Sequence, residues 1–256
     1  MLLGARFSPA AVGRFLAASQ RRAAEVRRRR PELGRQSRSW LAAGAAAWAL
    51  PAAAGVEPFR SSFRSGLAWW ALTAVMVDWH LGMVETEDGR PRPLGPADAL
   101  TLARVWLVPA ALSEPTPLVC AAGFATDVLD GRAARAAEPT RAGRDLEGLA
   151  DACFAGAVIT GLRRGDRIGR TASGAELLRL AAGFSYSLAV YFGRARPPEP
   201  RLTRAARLTT PVRAGGLIAA AAGRPRLGTA LVWTGCAWSL ALLSTALRDQ
   251  APAGEH

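Results

Sequence analysis

Four carboxylates stand at helical spacing in the stretch 127–151, DVLDGRAARAAEPTRAGRDLEGLAD. Asp127 and Asp130 are spaced i, i+3 and share one face of a helix, and Glu147 and Asp151 are spaced i, i+4 and share a face of the next. Pro139, Thr140 and Gly143 lie between them and are turn formers. The spacing therefore predicts an antiparallel helical hairpin that points the four acids at one another. Each ionisable group inside an apolar helix costs roughly 2.5–3.5 kcal/mol, and four acids together also repel. A cation offsets both costs. Hard oxygen donors favour magnesium, manganese or calcium over zinc, and no cluster of His or Cys competes for a soft metal. Gly131 removes a side chain beside Asp130, so a nucleotide or diphosphate can approach the backbone there; Ala134 is small, and Arg135, one turn on, can grip phosphate oxygens bidentately. Cation, guanidinium and carboxylates together are the equipment of phosphoryl transfer. The plainer alternative is ion pairing with Arg132, Arg135, Arg141 or Arg144 inside a membrane.

The elements that must position these residues are apolar helices. The chain has 256 residues, 50% of them hydrophobic, a mean hydropathy of only +0.10 and a net charge of +13. All 33 basic residues are Arg, and they flank Ala/Leu/Val/Trp-rich runs rather than forming one block. That arrangement favours an anionic membrane surface over nucleic acid as the partner. Apolar segments fall at about 39–56, 66–84, 99–113, 116–135, 146–162, 176–193, 209–223 and 228–247. The expected fold is all-α and polytopic: a six-helix membrane core over 95–248, preceded by two additional helices and a linker over 38–94. Residues 1–37 read as a basic cytoplasmic arm on lipid headgroups, and 249–256 as a disordered tail. The arginines put the connections 85–98, 136–145 and 194–208 on the cytoplasmic side; the loop with Arg163, Arg164, Arg167 and Arg170 disagrees with that count.

The run 127–151 resembles the signature of the CDP-alcohol phosphatidyltransferase family, DxxDGxxAR followed by GxxxDxxxD, through Asp127, Asp130, Gly131, Ala134, Arg135, Gly143 and Asp151. Upstream, DALTLARVWLVP at 98–109 looks like that family's first core helix, with Thr101, Arg104 and Pro109 in familiar places. The resemblance covers about residues 95–247. It departs in two places: Glu147 stands where the family has Asp, and the spacer between Arg135 and Gly143, seven residues, is one shorter than usual. The resemblance implies a membrane phospholipid-synthesis enzyme that moves a phosphatidyl group from a CDP-alcohol, such as CDP-diacylglycerol, to a small acceptor alcohol and releases CMP. It implies Mg2+ or Mn2+ on Asp127, Asp130, Glu147 and Asp151, with Asp151 also the base that activates the acceptor hydroxyl. Thr101, Arg104, Gly131, Ala134, Arg135 and Gly143 would bind the donor, the site would face the cytoplasm, and pairing into a homodimer is common in the family.

Other residues carry readings of their own. Arg104 reads as a phosphate ligand or as a snorkelling anchor, and Thr101 as a nucleotide contact or as a helix-internal hydrogen bond. Asp98 reads as a cap of the helix that follows. Arg213, inside an apolar run, is the best candidate to hold a phosphorylated acceptor. The arginines at 194, 196, 201, 204 and 207 read as an interface anchor, and Asp78 and His80 likewise, beside Trp79. Trp40, Trp48, Trp69 and Trp70 read as packing or interface residues, and Cys120, Cys153 and Cys236 as small buried hydrophobes. A catalytically inactive relative, a membrane scaffold and a transporter are the rival classes.

Overall fold

Proline opens the helices of this chain. In the computed structural model, which describes residues 8–136, 140–194 and 200–248, and side chains there except at 134–135, 186–194, 200–207 and 243–248, six of nine α-helices begin on Pro. Proline lacks the N–H that a first turn leaves unpaired, and its fixed φ suits that turn. The helices are α1 (Pro9–Arg29), α2 (Pro31–Ala53), α3 (Phe63–His80), α4 (Pro96–Ser113), α5 (Pro117–Ala136), α6 (Arg141–Arg164), α7 (Arg170–Arg194), α8 (Pro200–Ala221) and α9 (Pro225–Arg248), with a single 3-10 turn at Leu81–Met83. Side-chain oxygens complete several starts: Ser8 accepts from Ala11 N–H at 3.4 Å, Thr116 from Val119 N–H at 3.2 Å, and Thr140 from Gly143 N–H at 2.9 Å. Asp98 accepts from Gly95 N–H at 2.7 Å, so the capping reading of Asp98 holds. Gly223, at φ +76°, lets the chain leave α8 in a left-handed turn.

The all-helical expectation holds, and six helices follow residue 95. The helices outrun the apolar segments: α8 begins at Pro200 rather than near 209, and α7 at Arg170 rather than near 176. Arginine is a good helix former, so charged ends extend helices that hydropathy alone cuts short. For the same reason, among the described residues no helix is long and apolar enough to cross a membrane. The arginine cluster at 194–207 and the tail 249–256 fall outside the residues, or the side chains, that are described.

The chain divides into two compact units, Met1–Glu114 with Ala122–Ala157, and Pro115–Ala121 with Val158–His256. In the first, Trp48 is 1% exposed and packs edge-on to Phe59 and Trp106, with ring centroids 5.1 and 5.2 Å away. A Cβ at Gly66 would run into the Trp48 indole, so glycine there lets α3 close on α2. Trp69 and Trp70 donate to the carbonyls of Val105 and Leu41 at 2.8 and 2.7 Å, which makes these tryptophans packing residues.

The basic arm is part of this unit. Ala23, Leu33, Leu81, Val84, Leu94 and Ala142 form one buried cluster. Arg22 donates to Gly82 O at 2.7 Å and pairs with Glu85; Arg30 donates to Val84 O and Arg92 O at 3.2 and 2.6 Å; Arg27 pairs with Asp78. These three arginines turn toward the chain's own carbonyls and acids, and Asp78 is the partner of one of them. His80 Nδ1 lies 2.7 Å from Met76 O within its own helix. In the second unit, α8 and α9 pack closely: a Cβ on Gly216 would sit 2.9 Å from Gly228 O, and one on Gly228 2.7 Å from Gly216 O.

Candidate functional site

The hairpin brings its acids together in a definite split. One carboxylate oxygen each from Asp127, Asp130 and Glu147 lie within 4.8 Å of one another. The opposing faces of α5 and α6 meet through Phe154, whose ring centroid lies 5.4 Å from that of Phe124 and whose ring fills the space a Cβ on Gly123 would need. Asp151 is their neighbour through Arg104, whose guanidinium holds Asp151 Oδ1 on one nitrogen and Asp130 on the other.

Arg104, on α4 and 1% exposed, is the centre of the arrangement. Nη1 donates to Asp151, Nη2 to Asp130, and Nε to Thr126 Oγ1 at 3.3 Å, while Asp127 lies 3.8 Å from Nη2. The sequence offered Arg104 as a phosphate ligand or a headgroup anchor; in the structure it is a buried counter-ion that ties α4 to α5 and α6. A fully buried guanidinium requires such partners, because an uncompensated charge there costs several kcal/mol. The plainer ion-pairing alternative thus finds Arg104 as a partner; of the arginines it named, Arg141 pairs with Glu85 and Arg144 with Glu87, and the side chain of Arg135 lies outside those described.

Asp130 carries the most telling detail. It is 2% exposed, and its Oδ2 accepts from Arg104 and, at 3.4 Å, from the Thr101 hydroxyl. Its Oδ1 is buried with no hydrogen-bond partner among the described residues. Buried carboxylate oxygens are nearly always satisfied, so an orphan beside two further acids is the donor arrangement a hard divalent cation would complete. Asp127, Asp130 and Glu147 fit such an ion by donor type and by convergence. Glu147 in place of the family's Asp still reaches the group.

Thr101 also donates to Ala97 O at 3.1 Å, so its helix-internal hydrogen bond is present together with its approach to Asp130. Gly143 has a local reason to be glycine: a Cβ would lie 3.0 Å from both Asp98 Oδ1 and Thr140 Oγ1, the two residues that cap α4 and α6. Asp98 lies outside the apolar run 99–113; burial pushes its carboxyl up, against the Gly95 N–H that holds it down. Gly131 is half-buried directly after Asp130. The side chains of Ala134 and Arg135 lie outside those described. Thr126 is the residue the sequence did not suggest; a threonine one position before Asp127 was the available signal.

Arg213 sits in the second unit, 6% exposed, on a carboxylate of its own. Its Nη1 donates to Glu176 Oε1 at 2.6 Å and its Nη2 to Thr210 Oγ1 at 3.0 Å. Arg179 grips both oxygens of Glu176 at 2.8 and 2.6 Å, and the Cys236 thiol donates to Oε2 at 3.0 Å. Cys120 and Cys236 are buried, as read; Cys153 is half-buried.

Compared with protein-family models, curated proteins and solved structures, the chain matches none.

Proposed function

We propose that this chain is a membrane enzyme that transfers a phospho-alcohol group from a CDP-alcohol, such as CDP-diacylglycerol, to a small acceptor alcohol and releases CMP. The observation that carries the reading is the buried, unpartnered Oδ1 of Asp130 beside oxygens of Asp127 and Glu147. These three residues would hold Mg2+ or Mn2+. A bound divalent ion would supply neutralisation of the donor diphosphate, which makes CMP a better leaving group.

The chain's own residues have the remaining roles. Arg104 holds Oδ1 of Asp151 and so fixes that carboxylate, whose side chain is 43% exposed, with Oδ2 left to accept a proton. The acceptor hydroxyl passes its proton to Asp151 as its oxygen forms the new bond to phosphorus, and the bond from that phosphorus to the CMP oxygen breaks. Glycines at 131 and 143 and the small Ala134 would admit the donor, with Thr101 behind Asp130 and Arg135 at the phosphates. Arg213 is proposed less directly for a phosphorylated acceptor, since Glu176 already occupies one edge of its guanidinium.

A polytopic membrane setting is supported by bare apolar side chains on several helices. Leu50 is 70% exposed, Leu118 78% and Leu178 71%, and Leu72, Trp233, Trp238 and Leu240 are also exposed. Water disfavours so many exposed large apolar groups, whereas lipid accepts them. Arginines at the helix ends suit headgroups, with the site toward the cytoplasm, and family members' pairing extends the proposal to a homodimer.

A second reading has an observation in its favour. Arg104 already partners Asp130 and Asp151, which is what an inactive scaffold would keep for stability alone. Membranes carrying the full chain, labelled CDP-diacylglycerol, Mn2+ and a panel of acceptor alcohols separate the two. The enzyme releases CMP with one acceptor, and Asp151→Asn lowers that release by about a hundredfold or more while the chain stays folded. No CMP release with any acceptor supports the scaffold.

A further inference from the structure

A groove of about 560 Å³ opens between α1, α2 and α3, far along the chain from the acidic hairpin. We propose that it seats one anionic phospholipid. The inference shares the membrane setting argued above and none of the transfer chemistry.

The polar half of the groove is short of negative charge. Arg27 and Arg38 line it with a single acid, Asp78, and two guanidinium charges less one carboxylate leave one positive charge. Arg27 is paired with Asp78. Arg38 has no hydrogen-bond or ion-pair partner among the described residues. The two arginines converge on Gly34: a Cβ there would lie 3.6 Å from Arg27 Cγ and 3.7 Å from Arg38 Nη1. Ser37, only 4% exposed, also faces the groove, and its hydroxyl has no partner among the described residues. A guanidinium, a neighbouring guanidinium already fixed by its acid, and a hydroxyl on the groove wall form a receptor for one phosphate group.

The other half is apolar. Leu41, Ala74, Val75 and Trp79 line it, and on α3 the surface continues to Val75 and Leu72, 44% and 53% exposed. Inorganic phosphate would use only the charged half and leave this wall in water. An amphiphile with a phosphate at one end and hydrocarbon at the other uses both. Trp79, with an apolar body and a polar N–H, suits the boundary between them. A choline headgroup would bring a cation beside Arg27 and Arg38, so an anionic headgroup such as phosphatidylglycerol is the better match.

Native mass spectrometry of the full chain, released from an uncharged detergent with phosphatidylglycerol or phosphatidylcholine present, tests this. One phosphatidylglycerol should remain bound in preference to phosphatidylcholine. Arg38→Gln should lower retention by about tenfold, the scale of one charge-assisted contact, with Arg38→Lys in between. Arg38 is exposed and binds no other group among the described residues, so these variants should fold. Equal retention by Arg38→Gln and the natural chain, or equal retention of the two lipids, overturns the proposal; so does displacement by millimolar inorganic phosphate, which would mark a free-anion site. Asp151→Asn should retain lipid like the natural chain whether or not the protein transfers phospho-alcohols, so the two ideas fail separately.

Discussion

Each compact unit buries one cluster of arginine and carboxylate, and the two are built with opposite balance. In the first, among the described side chains, three carboxylates, Asp127, Asp130 and Asp151, face one guanidinium, Arg104. In the second, two guanidiniums, Arg179 and Arg213, face one carboxylate, Glu176. The orphaned atoms follow the balance: an acceptor, Asp130 Oδ1, in the acid-rich cluster, and a donor, Arg213 Nε, in the base-rich one. A cluster that needs only stability settles near neutrality, because each unmatched buried charge costs several kcal/mol. Among the described side chains the acid-rich cluster keeps three acids on one base, with a convergent Glu147 and a half-exposed Asp151 beside them, an arrangement open to a positively charged ligand. Glu176 in the base-rich cluster is enclosed by three donors from α7, α8 and α9, and that cluster reads as a clasp.

The largest effect should come from removing Arg104, the base of the acid-rich cluster among the described side chains. Arg104→Met leaves Asp127, Asp130 and Asp151 facing one another, and should cost about 3–5 kcal/mol of stability. If the acids are a cation site, Mn2+ should return much of that loss, about 2.7 kcal/mol at a hundredfold excess over its Kd. Thermal unfolding in detergent with Mn2+ and with a chelator reads both. Unfolding of Arg104→Met at the natural temperature would remove the basis for the comparison. A loss that Mn2+ does not touch would leave a merely structural cluster.

Glu176→Gln makes the matching cut in the second unit. Arg213 and Arg179 lose their carboxylate while the shape is kept, and a loss of about 3 kcal/mol is expected, at the low end for a broken buried pair because glutamine still accepts hydrogen bonds. Mn2+ should give this variant the same stabilisation as the natural chain. The double variant Glu176→Gln/Arg213→Gln should recover part of the loss, since the more deeply buried of the two uncompensated charges is gone. A manganese response abolished by Glu176→Gln would mean that the base-rich cluster also serves the cation, and the distinction between the two would fall.

The acid half of the first cluster was legible because helical spacing alone aligns Asp127 with Asp130 and Glu147 with Asp151. Its base was not. Arg104 comes from another helix, and periodicity places a residue on a face without saying what that face meets. The same gap hid the pairing of Arg213 with Glu176, which is 37 positions away. The arm shows a different one: Arg22 and Arg30 are held by backbone carbonyls of residues 82–92, acceptors that every residue carries and that sequence therefore cannot mark. Apolar runs place the helices but not their starts: α2, α7 and α8 begin at Pro31, Arg170 and Pro200, well before the apolar stretches near 39, 176 and 209.

The smallest test concerns the neutral donor each cluster adds. The Cys236 thiol lies 3.0 Å from Glu176 Oε2, and Cys236 is 2% exposed. Thr101 Oγ1 lies 3.4 Å from Asp130 Oδ2 and 3.1 Å from Ala97 O, and has one proton to divide between them. Cys236→Ala should therefore cost about 1 kcal/mol, the net worth of a hydrogen bond, and Thr101→Val less than that. Cys236→Ser, which keeps a donor of similar reach, should restore most of the loss, whereas a thiol acting only as filling would not be replaced by a hydroxyl. Thermal unfolding of the three variants ranks them. A Thr101→Val loss larger than that of Cys236→Ala would show that the threonine proton is committed to Asp130, and that the acid-rich cluster draws on its protein donors as fully as the clasp does.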